Sequence, residues 1–266
     1  MNSKSRLALL ISLALMLATA AYAQDQGREF HWSGKLAPDK VVEIKNVNGS
    51  IEAEAASGDE IQITAEKIGP RADEVKIEVV PSSEGVTICT IYPDGALGGS
   101  SGTCEPGKHW HTHNVHGDRV QVRFHARIPK NLRFTGISVN GNVSAEDMSR
   151  FVYAESVNGS IHVSTTSWAE MQTVNGSIKG RMGNAAWTGT LKVESVNGSI
   201  DLEMPDDLSA NVDFKSVNGR ITSDFPVTVS GGFVGHSAHG QIGSGGRDLE
   251  IKTVNGSVTL KKAGGI

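Results

Sequence analysis

Only two cysteines, Cys89 and Cys104, occur in this sequence, and aromatic residues make up just 5% of it. The scarcity of cysteine excludes a disulfide-dense scaffold and any Cys₄ metal centre. A Cys-x-x-Cys redox pair is also absent. The scarcity of aromatics argues against a large globular core and suits a thin, stacked β-structure. Past residue 23 no stretch is apolar enough to span a bilayer, and no amphipathic helix is evident. Neither charge dominates: the formal net charge is −4, and it becomes −6 once Lys4 and Arg6 are lost with a leader. A mildly acidic chain of this kind is a poor nucleic-acid binder. Gly-x-Ser-x-Gly, His-Glu-x-x-His, Walker and dinucleotide signatures are missing, so no catalytic residues are assigned.

What the sequence has instead is one recurring pentapeptide. Val-Asn-Gly-Ser-Ile and close variants occur eight times, with glycines at 49, 141, 159, 176, 198, 219, 240 and 256. From the second copy on, the steps are 18, 17, 22, 21, 21 and 16 residues. Such a period marks stacked units that cannot bury an apolar face alone. Counted back from each asparagine, positions −6 and −4 are apolar or glycine, as in Leu191 and Val193, and −2 is small and polar, as in Ser195. Position +3 is Ile or Val. This period-two pattern predicts a half-buried strand on each side of Asn-Gly.

Two backbones fit. Asn-Gly is a hairpin turn in one, giving a stack of antiparallel hairpins. In the other it is the corner of a parallel β-helix, or β-solenoid, and the asparagines stack as an amide ladder. The solenoid is preferred because it bends Val47, Val139, Val157, Val174, Val196, Val217 and Val254 inward. The expected corner pairs are Asn48–Gly49, Asn140–Gly141, Asn158–Gly159, Asn175–Gly176, Asn197–Gly198, Asn218–Gly219, His239–Gly240 and Asn255–Gly256. Glycine is expected there for its access to positive φ.

Residues 1–23 read as a secretory signal peptide: Lys4 and Arg6, an apolar run over Leu7–Ala18, and Ala21-Tyr22-Ala23 as cleavage site. The mature protein is then exported, periplasmic or secreted, with no transmembrane segment. Residues 24–134 read as an irregular N-terminal β region, with strands near 60–67, 74–80, 85–92 and 119–128. Residues 93–118 form a Gly/Ser/Pro-rich, His-rich loop, and 135–266 hold the main repeats. One continuous β-structure is expected, a separate small N-terminal β-domain being the other possibility.

Taken with Ile88-Cys89-Thr90-Ile91-Tyr92-Pro93, Ser223-Asp224-Phe225-Pro226 and Ile242-Gly243-Ser244-Gly245-Gly246, the serial Thr/Ser-Val-Asn-Gly-Ser-Ile motifs resemble the bacterial putative-adhesin family. These are exported β-strand-repeat proteins with a domain of unknown function. The resemblance covers nearly all of the chain after the leader. It implies a right-handed β-helix-like solenoid in the cell envelope and no catalytic residues.

Two local features remain. In an exported chain Cys89 and Cys104 read as a disulfide at the base of the 93–118 loop. His109, His111, His113 and His116 have a spacing that suits Zn²⁺ or Cu²⁺, although a solvated polar loop explains them as well. The leading expectation is a non-enzymatic envelope protein, a structural or adhesin-like interaction module of unknown partner, with no cofactor beyond weak Zn²⁺ or Cu²⁺. A periplasmic metal-binding protein and a polysaccharide-active β-helix enzyme are the alternatives.

Overall fold

Alternation of buried and exposed residues makes nearly every segment of this chain a strand. A computed structural model describes residues 22–92, 103–107, 120–229 and 237–264, without the side chains of 22–26, 228 and 229. The first part of the chain forms β1 (Tyr22–Gln26), β2 (Glu29–Gly34), β3 (Val41–Asn48), β4 (Ile51–Ala56) and β5 (Ile61–Ile68). A single 3₁₀ turn, Ala72–Glu74, leads to β6 (Lys76–Pro81), β7 (Gly85–Ile91) and β8 (Gln121–Pro129). The repeats follow as β9 (Arg133–Asn140), β10 (Val143–Met148), β11 (Val152–Asn158), β12 (Ile161–Thr165), β13 (Ala169–Asn175) and β14 (Ile178–Met182). Then come β15 (Thr190–Asn197), β16 (Ile200–Met204), β17 (Ala210–Asn218), β18 (Ile221–Ser223), β19 (Thr228–Val229), β20 (Ser237–Ile242), β21 (Arg247–Asn255) and β22 (Val258–Lys262).

These strands build two sheets of eleven. One runs β1-β2-β5-β8-β4-β10-β12-β14-β16-β22-β18; the other runs β19-β20-β17-β21-β15-β13-β11-β9-β3-β7-β6. Each repeat gives the strand before Asn-Gly to the second sheet and the strand after it to the first. Neighbouring repeats pair in parallel and in register, with Asn140 opposite Asn158, Asn158 opposite Asn175, and Asn175 opposite Asn197. No strand pairs across its own Asn-Gly, so the hairpin stack is excluded and the solenoid stands. The core lies between the sheets. Leu191 and Val193 of β15 and Ile200, Leu202 and Met204 of β16 are all buried.

The rungs do not stack in chain order. β21 pairs with both β15 and β17, and β22 pairs with both β16 and β18. The last repeat is therefore inserted between the copies at Asn197 and Asn218. The N-terminal region joins the same two sheets: β3–β4 stacks on β9–β10, and β7–β8 adds a rung beyond it. Antiparallel β1, β2, β5 and β6 finish that end.

Candidate functional site: the corner ladder and the outer face of the repeat sheet

The corner explains the motif residue by residue. Each corner asparagine after Asn48 donates its side-chain N–H to the side-chain oxygen of a neighbour. Asn140 donates to Asn48, Asn158 to Asn140, Asn175 to Asn158 and Asn197 to Asn175, each at 2.8 Å. Asn255 then donates to Asn197, and Asn218 to Asn255, at 2.7 Å. One ladder of amides thus crosses seven rungs.

Glycine is required at the corner by close approach. A Cβ on Gly198 would lie 1.9 Å from the carbonyl oxygen of Gly176, and one on Gly159 would lie 2.1 Å from that of Gly141. Of the corner glycines only Gly49 has positive φ, 119°. The expectation of a left-handed corner is therefore corrected for Gly141, Gly159, Gly176, Gly198, Gly219 and Gly256. Successive corners pack so tightly that no side chain fits between them.

The inward residue at the corner is the hydroxyl at position −2. Ser156, Ser195, Ser216 and Thr253 are buried and donate to the glycine carbonyls of adjacent rungs, each at 2.9 Å. Thr173 does the same to Gly159 at 2.8 Å. A buried carbonyl left without a donor is costly, so the hydroxyl is part of the stacking.

The valines follow from this parity. Positions −6, −4 and −2 face inward, so −1 faces outward, and a one-residue slip would reverse every side chain. Val157, Val174, Val196, Val217 and Val254 are 37–52% exposed. The expectation that they bend inward is wrong for these five. Val47 is buried and Val139 is partly covered. The seventh expected corner is also corrected. His239–Gly240 sits inside β20, which runs antiparallel to β17, and His239 Nδ1 lies 3.1 Å from Asp213 Oδ1. A residue there is in strand, so the ladder passes from Asn255 to Asn218 without it.

A tethered segment lies over the outer face of β3 at that end of the sheet. Cys89 and Cys104 form a disulfide. It brings residues 103–107 against the outer face of β3. There the Lys45 side chain is fully buried, donating to the carbonyls of Glu105 at 2.6 Å and Gly107 at 2.5 Å. Glu43 lies 3.6 Å from the Lys45 ammonium and accepts from Thr87 Oγ1 and the Gly107 N–H. Burial pushes the Lys45 pKa below its usual 10.5, and Glu43 pulls the other way. The stretch with His109, His111, His113 and His116 lies outside the described residues. Among the described residues, no group of three or more His, Cys, Asp or Glu is placed to hold a metal.

Beyond the tether the valines of the outer face are exposed, and among the described residues no segment is seen to lie over them. The valine column lies beside a column two residues earlier in each strand. In stacking order this second column reads Glu155, Gln172, Glu194, Lys252 and Lys215. One end is acidic and the other basic. Next to it, burial and a hydrogen bond with Glu250 raise the Glu194 pKa, while Lys252 holds Glu250 low. The other sheet's outer face carries crossed charges, such as Arg127–Glu54 and Arg181–Glu203. All the exposed large apolar residues found among the described residues stand in the one valine column.

The sequence profile of the Toastrack DUF4097 family matches residues 113–261. The chain belongs to that family. Similar solved structures include a putative cell adhesion protein from Clostridium sporogenes ATCC 15579, at 9% identity and TM-score 0.45, covering 88% of this chain and 100% of the other. A putative adhesin from Bacteroides fragilis NCTC 9343 is similar at 11% identity and TM-score 0.30, covering 89% of this chain and 98% of the other. No curated protein sequence matches. Six of the seven rungs of the amide ladder, all but that of Asn48, fall within the Toastrack domain, and what varies from rung to rung is carried on the outer faces. Among the described residues, no helix is long and apolar enough to cross a membrane.

Proposed function

We propose that this Toastrack protein is exported to the bacterial envelope and acts there as a non-enzymatic interaction module. The observation that carries this reading is the exposed valine column beside graded charge, on a rigid sheet, with a disulfide-tethered segment at one end. Apolar stripes of this kind on a soluble fold mark contact surfaces. A disulfide suits an oxidising compartment, and the basic, apolar, small-x-small order of residues 1–23 suits export. Cell fractionation with mass spectrometry of the intact protein tests this. A species beginning at Gln24 in the periplasm or medium supports export. A cytosolic chain with an intact N-terminus overturns it. For the interaction role, mature protein is titrated against envelope extract with and without Val217→Asp. Saturable binding lost in the variant supports the reading, and binding indifferent to it counts against this face.

A second, weaker activity is proposed for the histidine stretch. The Cys89–Cys104 bridge and the Gly107 anchor hold one end of it, which lowers the ordering cost of binding. Neutral imidazoles at 109, 111, 113 and 116 are ligands for Zn²⁺ or Cu²⁺. Calorimetric titration should give weak binding that a His109/His111/His113→Ala variant loses, with the metal-free melting temperature unchanged.

A further inference from the structure

The seven Asn-Gly corners are nearly identical in sequence, but one of them has no rung beyond it. We infer that this last corner, Asn218–Gly219, is the site at which the chain undergoes backbone-assisted deamidation, and that the ladder protects the other six.

Asn-Gly is well suited to close on itself, because glycine has no side chain to obstruct the approach of its own nitrogen to the asparagine amide. The reaction needs a glycine N–H free to lose its proton and a side-chain amide free to turn. At this corner the Gly219 nitrogen gives its proton to solvent and attacks Cγ of Asn218. Nδ2 takes up a proton and leaves as ammonia, which closes a five-membered succinimide. Water then opens the ring, at Cγ to give aspartate or at the backbone carbonyl to give isoaspartate. One water enters, one ammonia leaves, and nothing is oxidised or reduced.

Inside the stack both requirements are denied. Oδ1 of Asn48, Asn140, Asn158, Asn175, Asn197 and Asn255 each accepts a side-chain N–H from the next rung. The N–H groups of Gly49, Gly159, Gly176, Gly198 and Gly256 donate to the asparagine backbone carbonyl of that same next rung, at 2.8–3.1 Å. The ladder has a direction, so its two ends differ. At Asn48 both the side-chain oxygen and the Gly49 N–H are engaged, each at 2.8 Å.

Asn218 stands at the other end. Its Nδ2 donates to Asn255 Oδ1 at 2.7 Å, but among the described residues nothing donates to its Oδ1 and nothing accepts from the Gly219 N–H. β18, which follows the corner, is the last strand of its sheet. The pairing of β20 with β17 reaches only to Lys215, so β17 meets the corner with β21 as its one paired neighbour among the described residues. Asn218 is exposed.

Either product undoes the last rung. Aspartate lacks the N–H that Asn255 Oδ1 accepts and sets a charged oxygen against it. Isoaspartate adds a methylene to the backbone at a corner without slack, since a Cβ on Gly219 would lie 1.9 Å from the Gly256 carbonyl oxygen.

The test is peptide mapping by mass spectrometry of the disulfide-intact chain after incubation in mildly alkaline buffer. Lys215 and Arg220 bracket Asn218, so trypsin releases it apart from the other six corners. Digestion in heavy-oxygen water marks conversions made during handling. The expected result is aspartate and isoaspartate accumulating at Asn218 about tenfold or more faster than at any other corner. Those corners must first give up further hydrogen bonds, each worth up to about tenfold in the open population. In urea, where no rung stacks, all seven should convert at similar rates. Arg220→Ser gives Asn218 the Asn-Gly-Ser sequence of other copies and should leave its rate unchanged; Arg220 is exposed, and an unchanged melt verifies that the variant is folded. An Asn218 that stays intact, or a second corner that converts as fast in the folded chain, overturns the inference. So does a preference for Asn218 that persists in urea or disappears with Arg220→Ser, because local sequence and not its place in the stack then sets the rate.

Discussion

The side-chain amide of Asn255 donates to Asn197 Oδ1 at 2.7 Å across 58 residues of chain. The last repeat is thus wedged into a gap that the fifth and sixth motif copies leave open. Both sheets remain split until β21 and β22 arrive, so the C-terminal repeat is a keystone and not a dispensable cap.

Deleting residues 247–264 should therefore damage the middle of the stack. Trp187 reports on this, because its indole N–H donates to the Asp248 carbonyl at 3.0 Å and Arg247 donates to the Trp187 carbonyl. Its buried ring should become exposed. The expected readings are a red-shifted tryptophan emission and rapid proteolysis within 183–229. A truncated chain that keeps the native emission and melt would show that the wedge is not structural.

The corner predicts a sharp asymmetry between neighbours. Gly198→Ala puts a methyl 1.9 Å from the Gly176 carbonyl oxygen, a backbone atom that cannot step aside. Forcing rungs apart should cost about 1–3 kcal/mol, as overpacking does. Ser199→Ala removes only a 3.2 Å contact from the Ser257 N–H at a partly exposed site. It should cost less than about 0.5 kcal/mol. Chemical denaturation of the two variants separates the outcomes.

Parity gives the next comparison. Ser195 is buried, and its hydroxyl donates to the Gly176 carbonyl at 2.9 Å, whereas Val196 next to it is 40% exposed. Ser195→Val should destabilise by about 1–3 kcal/mol by stranding that carbonyl. Val196→Thr should be close to neutral. Equal effects in urea melts would mean that the register has been misassigned.

Much of this was legible in the sequence. Parallel stacking, Asn-Gly corners and the amide ladder follow from the repeat, and the strand at 61–68 and those flanking 93–118 were readable from alternation. The outward valines were also legible in principle, since −1 has the opposite parity to −6, −4 and −2. Why position −2 is small and polar was not legible, because the acceptor of its hydroxyl, a glycine carbonyl one rung away, is known only from the stacking. His239–Gly240 imitates the motif with nothing local to expose the imitation, because only the antiparallel pairing of β20 with β17 excludes a corner. The wedge of Asn255 between Asn197 and Asn218 is a long-range choice that spacing does not encode. The burial of Lys45 depends on a segment brought over it by a disulfide 15 residues long in sequence.

Reducing that disulfide should release the segment and expose the cluster beneath it. A double Cys89/Cys104→Ser variant should lose about 3 kcal/mol, the loop-closure contribution for this span. Lys45→Ala should cost a comparable amount even with the disulfide intact, because it strands buried Glu43. The pH dependence has a definite sign. With its folded pKa below 10.5, Lys45 holds fewer protons folded than unfolded, so stability should rise as pH climbs toward 10.5. Lys45→Met should flatten that rise in thermal melts; a rise that persists would place its origin elsewhere.

The last prediction concerns Glu194 on the outer face. Burial, then its hydrogen bond with Glu250, raises its pKa above 4.5. A carboxyl with a raised folded pKa binds its proton more tightly folded than unfolded. Its contribution is fully present below 4.5 and is lost as pH rises through the folded value. Glu250 works in the opposite sense. Lys252 depresses its pKa, so its contribution is present above 4.5 and fades as pH falls through the lower folded value. Glu194→Gln keeps the shape and the hydrogen-bonding capacity but removes the ionisation. It should leave stability below pH 4 nearly unchanged and raise it modestly at pH 7, by less than about 1 kcal/mol at a partly exposed site. Melting temperatures of the two proteins compared from pH 4 to pH 8 give the answer. A constant difference across that range would show that Glu194 does not titrate there, and a variant less stable at pH 7 would show that its attraction to the Lys192 and Lys252 charges outweighs its burial.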